Sequence, residues 1–429
     1  MTDTEDPEEL FGKAMGILEG DRKRVENEGF LYSDAYCYLL RAGELGHPEA
    51  QYWLFRAFNW LRDSHLFEPD EYKKYSDMEK EWLQKAADNG HTGAMLSLSF
   101  YYSYPPYSDD RAEISRELFQ KVVDSDPDDP DVQYWIGFAY LFKDIVERDP
   151  KAAARWYIKA AEQDDVRALF DLSSMYRRGE GVEQSDEKAF QCALKGAELG
   201  YPFCQWDVGR YYKYGIGVEQ SYERSIEYFN KALEGGIYQP LLSLAHSYEK
   251  GLGVEQSYTK AAELYRKAIE QYDTDAMIQL GRLHEKGLGV EQSNREAYEL
   301  YYRASGDLAW SIAIDDLSRI AKKGDVLAMI VLGDRYEKGS EWFMERSHEK
   351  ATEYCRMAMD HGPGDLSVDD LIYMAEKDNM VAMVMLGDCY EKGLNVEQSN
   401  EKALKYYTKA AGEGCDIAVA RLSFMERNQ

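Results

Sequence analysis

Residues 203–236 read FCQWDVGRYYKYGIGVEQSYERSIEYFNKALEGG. Apolar residues in the first half recur every four positions from Cys204 to Tyr212, which is the spacing of one buried stripe on an α-helix. Gly215 then ends this helix, because glycine readily takes the left-handed conformation that follows a helix C-terminus. Ser221 is a strong N-cap candidate for a second amphipathic helix. The stretch therefore predicts two helices joined by a glycine loop.

The loop sequence of this stretch returns along the chain at a fixed interval. Glycine followed by VEQS occurs at Gly181–Ser185, Gly217–Ser221, Gly253–Ser257 and Gly289–Ser293. Each start lies 36 residues after the one before it (217 − 181, 253 − 217, 289 − 253). A fifth copy, Asn395–Ser399, has asparagine in place of the glycine. A period of this length is typical of a solenoid, so we expect function to lie on an extended surface and not in a catalytic pocket.

The first helix of the unit, here called helix A, recurs ten times, and the second is called helix B. The copies of helix A have their first apolar residue at Ala50, Ala94, Val132, Ala168, Cys204, Pro240, Ala276, Ala328, Ala382 and Ala418. The predicted fold class is all-α: a right-handed α–α superhelix, or solenoid, of tandem helix-loop-helix repeats.

The later repeats are longer than the earlier ones. LGDRYEKG at Leu332–Gly339 and LGDCYEKG at Leu386–Gly393 are 54 residues apart (386 − 332). The surplus holds an additional amphipathic helix, at Ile314–Asp325 and again at Val368–Asn379. We therefore predict an N-terminal capping helix in residues 1–32, repeats of about 36 residues in 33–304, and longer repeats with an inserted helix and a C-terminal cap in 305–429.

The composition excludes several classes of partner. The chain has 429 residues, with 51 Lys and Arg against 79 Asp and Glu, and a formal net charge of −28. This acidic balance argues against sequence-independent nucleic-acid binding and against docking on an anionic membrane, since both need clustered cations. The N-terminus lacks the basic and apolar regions of a secretory signal, and no stretch has the ~18 apolar residues of a membrane span. Six scattered cysteines without CxxC pairs favour a reducing, cytoplasmic location.

The combined pattern resembles the Sel-1-like repeat family, a relative of tetratricopeptide repeats. The clearest match is LGRLHEKGLGVEQSNREAYELYYRA at Leu280–Ala304, and the resemblance covers roughly residues 33–425. It implies that the A helices line a concave surface. The positions opposite the core stripe of each helix A, which are the sixth, ninth and tenth after its first apolar residue, would then face the groove.

These positions change character along the chain. In the early repeats they are aromatic: Trp60, Phe100, Tyr104, Phe138 and Phe142. In the middle repeats they are mainly basic, and the candidate residues are Arg177, Arg178, Arg210, Lys213, Tyr214, His246 and Arg282. In the late repeats they are mixed in charge and include Asp334, Glu337 and Asp388. Cations in the last helical turn also favour the helix dipole, so some of the Arg and Lys residues have a local explanation.

The sequence favours a non-enzymatic adaptor or scaffold that binds a partner polypeptide in its concave groove. Aromatic residues and arginine are frequent anchors of interfaces, and arginine binds carboxylates through paired hydrogen bonds. The expected partner is a protein or peptide segment with hydrophobic and acidic residues, and self-association through 305–429 is a further possibility.

The alternative is a β-lactam-binding or hydrolytic enzyme like certain secreted relatives of the family. Four S-x-x-K sequences, at Ser185, Ser257, Ser347 and Ser399, match part of a β-lactamase signature. All four recur in phase with the repeat and open helix B, so capping explains them. We expect no catalytic residues, no metal and no cofactor, because the chain has no HExxH sequence, no His/Cys cluster and no phosphate-binding loop.

Overall fold

The computed structural model describes residues 6–20, 34–63, 69–103, 109–142, 145–305, 310–339 and 346–427. This described part contains 23 α-helices and no strand, which confirms the all-α helical-repeat fold. The first twelve helices are α1 (Pro7–Gly20), α2 (Asp34–Glu44), α3 (Pro48–Asp63), α4 (Pro69–Asp88), α5 (Thr92–Tyr102), α6 (Asp109–Asp124), α7 (Pro130–Phe142), α8 (Pro150–Glu162), α9 (Val166–Arg178), α10 (Asp186–Glu198), α11 (Pro202–Tyr214) and α12 (Tyr222–Glu234). The others are α13 (Pro240–Lys250), α14 (Tyr258–Ile269), α15 (Thr274–Lys286), α16 (Asn294–Ala304), α17 (Trp310–Ala321), α18 (Val326–Lys338), α19 (His348–His361), α20 (Val368–Glu376), α21 (Met380–Lys392), α22 (Asn400–Gly412) and α23 (Asp416–Arg427).

The chain divides into two compact units. Unit 1 comprises Met1–Val208 and Ile216–Val218, and unit 2 comprises Gly209–Gly215 and Glu219–Gln429. All ten predicted A helices are present, as α3, α5, α7, α9, α11, α13, α15, α18, α21 and α23. Within the units, helices A and B pack as pairs, including α3 with α4, α7 with α8 and α15 with α16.

A glycine in the middle of helix A brings the two helices of a pair close together. An added Cβ at Gly209 would lie 2.4 Å from the Phe229 ring. At Gly281 the Cβ would lie 2.5 Å from the ring of Tyr301. The ring of helix B therefore occupies the space that a side chain on helix A would need.

The repeated loop is held by two side chains and one close backbone contact. Its glutamine caps helix A: Gln256 Nε2 donates to the Glu249 carbonyl at 2.8 Å, and Gln398 does the same to Glu391 at 2.8 Å. Its serine caps helix B, as predicted: the backbone N–H of Lys260 donates to Ser257 Oγ at 3.3 Å. The same hydrogen bond is present for Ser185, Ser347 and Ser399, which confirms the capping role of the S-x-x-K serines.

The second glycine of the loop docks on the preceding helix B. Gly253 has a φ of +70°, and a Cβ there would lie 2.5 Å from the carbonyl carbon of Tyr222. At Gly289 the Cβ would lie 2.3 Å from the carbonyl carbon of Tyr258. Asn395 replaces this glycine in the fifth copy, where its φ is 56° and its side chain is exposed. The glycine of VEQS loops is therefore required where one repeat touches the backbone of the repeat before it.

The inserted helices of the later repeats are also present, as α17 and α20. Helix α18 contacts α16, α17, α19 and α21, while α21 contacts α18, α19, α20 and α22. Asp334, Glu337 and Asp388 are consequently buried, so the prediction that they line a free face was wrong. Each is paired inside the fold: Asp334 with Lys338 at 2.9 Å, Asp388 with Lys392 at 2.8 Å, and Glu337 with Arg346.

Candidate interaction site

Four aromatic rings of unit 1 form a continuous row along α5 and α7. Phe100 lies 6.2 Å from Trp135 between ring centroids, Trp135 lies 5.3 Å from Phe138, and Phe138 lies 4.9 Å from Phe142. Phe142 is 62% exposed at the end of the row. The structure thus brings together Phe100, Phe138 and Phe142, three of the residues selected from the sequence.

A cavity of about 440 Å³ opens beside this row. Its lining residues come from the four A helices α3, α5, α7 and α9. They include Tyr52, Phe55, Arg56, Phe100, Trp135 and Arg167. Phe55 is buried, whereas Tyr52, Phe100 and Trp135 are half-buried and present part of each ring to the space. The ring of Tyr52 stacks on His91 at 4.2 Å and on Phe55 at 5.5 Å, which fixes its orientation.

Two arginines lie at the cavity, and they differ in their partners. Arg167 pairs with Asp131 at 2.8 Å, also binds Asp165, and stacks over the Tyr134 ring at 4.4 Å. Burial opposes the charge of Arg167, but its hydrogen bonds to both carboxylates outweigh this and raise its pKa. Arg56 is exposed and stacks on Trp53 at 5.4 Å, and it pairs with no carboxylate in the described part of the chain. Arg56 is therefore the cation available to a ligand in this cavity.

Sequence reasoning missed Trp135, Arg56 and Phe55. Trp135 is the third residue after Val132, which places it at about 300° around the helix. It lies about 20° outside the face formed by the sixth, ninth and tenth positions. Arg56 is the sixth residue after Ala50, so its position on the helix was a signal that could have identified it. Of the other residues selected from the sequence, Tyr104 lies outside the described residues, and the side chain of Trp60 lies outside the described part of α3.

The two arginines at the end of α9 are only partly available. Arg178 is exposed but contacts Glu180 at 3.4 Å, and Arg148 binds the same carboxylate. The half-buried Arg177 ends the helix next to it, and its carbonyl accepts a hydrogen bond from Gln184 Nε2 at 3.1 Å. Their position in the last turn agrees with the helix-dipole explanation.

The basic residues of unit 2 follow the A helices α11, α13 and α15. Lys213 Nζ donates to Ser243 Oγ at 3.3 Å and lies 5.3 Å from the exposed ring of Tyr214. His246 is half-buried and packs edge-on against Tyr265 at 5.8 Å; burial, the largest effect, lowers its pKa. Burial therefore favours the uncharged form of His246, in contrast to the cationic role expected from the sequence.

Arg210 and Arg282 occupy the corresponding position on either side of His246 along the repeat. Both are half-buried, and Arg282 Nη1 donates to Gln279 Oε1 at 3.1 Å. Within unit 2 the residues Arg210, Lys213, Tyr214 and Arg282 thus keep part of their polar surface in contact with solvent.

Two glutamates at the same position of successive repeats have opposite ionisation behaviour. Burial, followed by the charge of Asp325, raises the pKa of Glu285 to about 7. At Glu249 burial also works against ionisation, but hydrogen bonds from Lys250 and Tyr265 outweigh it and lower the pKa. The Tyr265 hydroxyl donates to Glu249 at 2.7 Å, and the Tyr301 hydroxyl donates to Glu285 at 3.2 Å.

The described ranges contain neither a metal-binding cluster nor a membrane-spanning helix. No group of three or more His, Cys, Asp or Glu side chains there could hold a metal ion. All six cysteines are unpaired. None of the helices that the structure describes is both long and apolar enough to cross a membrane.

Tandem helix pairs, close-packed through glycines and displaying exposed aromatic and basic residues on the A helices, define an α-helical repeat protein. The Sel1 repeat model matches residues 80–91, 130–165, 166–201, 202–237, 241–273, 274–305, 326–363 and 381–415. These segments make up more than half of the chain, and the protein belongs to the Sel1 repeat family. The predicted Sel-1-like resemblance is thereby confirmed.

Solved structures agree with this assignment. The crystal structure of c5321, a protective antigen of uropathogenic Escherichia coli strains with an SLR fold, is 26% identical, and the alignment covers 99% of this chain and 91% of that one with a TM-score of 0.55. A Sel1 repeat protein from Oxalobacter formigenes is 24% identical over 81% of this chain and 90% of its own, with a TM-score of 0.44. A comparison with curated protein sequences found no significant match.

Proposed function

We propose that this protein is a non-enzymatic scaffold that binds a partner polypeptide on the surface of its A helices, with the cavity of unit 1 as the main anchor site. Sel1 repeat proteins are generally protein-interaction scaffolds, and the fold is typically non-enzymatic. The observation that carries the proposal is the 440 Å³ cavity beside the aromatic row, with Arg56 at its edge. Its volume falls in the range of roughly 300–1,000 Å³ that is usual for ligand sites.

The lining of the cavity specifies the kind of segment that would bind. Tyr52, Phe100 and Trp135 offer ring faces to an aromatic or branched aliphatic side chain, and rigid aromatic anchors of this kind dominate interface energetics. Arg56 would pair with a carboxylate next to that side chain. The ligand is therefore a hydrophobic residue flanked by Asp or Glu.

Unit 2 would have a contact region of its own. Arg210, Lys213, Tyr214 and Arg282 would bind acidic residues of a partner, while His246 would contribute an uncharged ring. Arg177, Arg178, Phe138 and Phe142 would add contacts in unit 1. The six unpaired cysteines support a reducing compartment such as the cytoplasm for this activity.

The test is selection of random displayed peptides on the full chain, followed by affinity measurement with labelled peptides. We expect the selected peptides to combine an aromatic or aliphatic residue with a carboxylate. Arg56→Glu should weaken their binding at least about fivefold, or roughly 1 kcal/mol. Peptides in which the carboxylate is replaced by lysine should prefer the Arg56→Glu variant.

Arg303→Glu is the matched control, because Arg303 is an exposed arginine of unit 2 on a helix B. It should leave affinity for the same peptides unchanged. Equal affinity of the Arg56→Glu and wild-type proteins would exclude the cavity as the acidic-peptide site. Light scattering of the same samples over a range of concentrations would report any self-association of the chain.

A further inference from the structure

The turns that lead from helix B to the next helix A share one backbone feature. A residue with a positive φ occurs in the turn before each of the ten A helices, two of which follow an inserted helix, and these residues are Gly46, Gly90, Asp126, Asp164, Gly200, Gly236, Tyr272, Gly324, Asp378 and Gly414. Glycine adopts this conformation without strain, and aspartate tolerates it better than most residues do. Tyr272, with a φ of 61°, is the one aromatic residue in the set.

The environment of Tyr272 does not explain its presence. Its side chain is 77% exposed, which is the largest value among the exposed large hydrophobic residues of the described chain. A tyrosine here is unfavourable for the backbone and gains little from burial, so glycine would suit the fold better. Residues at binding sites often cost stability in this way, so a binding role accounts for Tyr272 at this position.

A groove of about 410 Å³ lies at this same turn in unit 2. It is lined by Ile237, Tyr238 and Gln239 from the turn between α12 and α13, and by Ala268, Gln271 and Asp273 around the end of α14. Tyr238 is 53% exposed. The groove therefore combines a phenol ring, two side-chain amides and one carboxylate, and Tyr272 lies between two of its lining residues in the sequence.

The two chain segments that form the groove carry charge of one sign. Residues 234–239 and 268–275 include Glu234, Glu270, Asp273 and Asp275, and contain no Lys or Arg. Asp273 uses Oδ1 to accept the Ala276 backbone N–H at 2.9 Å, so its carboxylate is held at the groove as an N-cap. This local field favours a cationic ligand, which is opposite to the preference of the cavity in unit 1.

We propose that this groove docks an extended segment of a partner polypeptide that contains proline and is flanked by Arg or Lys. A polyproline II helix has no internal hydrogen bonds, so its carbonyl groups can accept from the Gln239 and Gln271 amides. Its proline rings pack on exposed tyrosines, which is how proline-rich segments bind aromatic-lined grooves. Flanking Arg or Lys residues pair with the carboxylates around the groove.

The experiment is selection of random linear peptides on the full chain, with competitive elution to separate basic from acidic binders. Fluorescence anisotropy then measures the affinity of selected peptides for the wild type, Tyr272→Gly and Tyr238→Ala. We expect proline together with Arg or Lys in the selected peptides, and affinity reduced at least about tenfold by Tyr272→Gly. Substituting alanine for the prolines, or glutamate for the cations, should abolish binding.

Tyr272→Gly also separates a binding role from a structural one. Because glycine relieves the left-handed strain, the urea midpoint of this variant should equal or exceed that of the wild type. Phe424→Ala is the matched control: it changes another exposed aromatic residue of unit 2 and should leave this binding unchanged. A lower urea midpoint for Tyr272→Gly, unchanged affinity, or selected peptides without proline and cations would each overturn the proposal.

Discussion

Replacing Gly253 with alanine tests how the repeated loop joins one helix pair to the next. Gly251 and Gly253 belong to the same loop and have nearly the same backbone, with φ values of +68° and +70°. A Cβ at Gly251 would lie 3.3 Å from its nearest neighbour, the Cβ of Gln256. A Cβ at Gly253 would lie 2.5 Å from the Tyr222 carbonyl carbon. The two substitutions therefore share the backbone strain and differ in the steric clash.

The expected magnitudes follow from these distances. Left-handed backbone costs a non-glycine residue roughly 1–2 kcal/mol, and this applies to both variants. At Gly253 the clash is about 0.9 Å short of an ordinary 3.4 Å contact (3.4 − 2.5), and it is with backbone that cannot rotate away. Overpacking of this kind typically adds about 1–3 kcal/mol. We expect a loss of about 1–2 kcal/mol for Gly251→Ala and about 2–5 kcal/mol for Gly253→Ala.

Urea denaturation followed by far-UV circular dichroism measures the free energy of unfolding of both variants. Hydrogen exchange shows whether the loss is local to α12, which the loop contacts, and to α13 and α14, which the loop connects. Gly253→Asn provides a further comparison, since asparagine tolerates the left-handed region and isolates the clash. If Gly251→Ala and Gly253→Ala lose the same stability, then the close backbone contact does not hold the repeats together.

Two further predictions follow from paired positions in unit 2 and unit 1. Folding raises the pKa of Glu285 from 4.5 to about 7, so the protein loses stability as pH rises through this range and the carboxyl ionises. Glu285→Gln removes this cost of ionisation. The variant should therefore be more stable than the wild type at pH 8 by ~1–2 kcal/mol after allowance for partial exposure. Glu249→Gln should have the opposite effect and destabilise the protein at neutral pH, because the lowered pKa of Glu249 means that the fold stabilises its ionised form. Urea midpoints of both variants between pH 5 and pH 8 test this pair of predictions. Parallel pH profiles would contradict the opposite pKa shifts of the two glutamates. Gly281→Ala should lower the free energy of unfolding by about 1–3 kcal/mol, because the added Cβ overpacks against Tyr301. Gly12→Ala should raise it by ~0.5–1 kcal/mol, because Gly12 lies within a helix and a Cβ there meets nothing within 4 Å. Thermal unfolding tests both, and stability changes of the same sign would refute the packing argument.

Local patterns gave a correct account of the helices but an incomplete account of their surfaces. Periodicity and capping residues act within a few residues of chain, so the ten A helices, the serine caps and the inserted helices α17 and α20 could all be predicted. The candidate aromatic residues Phe100, Phe138 and Phe142 came from the same periodicity. The cavity did not, because Trp135 and Arg56 reach it from neighbouring helices whose spacing the sequence does not state.

The ten helices and their end caps were determined by the sequence itself, since each depends on contacts made within one repeat. Only the tertiary structure decided which polar residues those helices expose. Asp334 and Asp388 occupy the same helical position as Arg210, yet both are buried whereas Arg210 is partly exposed. Asp334 accepts from the Met380 backbone N–H and Asp388 pairs with Arg421, so later repeats cover both carboxylates. Glu249 and Glu285 likewise share a position and differ in ionisation, because Lys250 binds one and Asp325 faces the other. The charge and exposure of a side chain depend on what neighbouring repeats place against it, and that information is not local to its own helix.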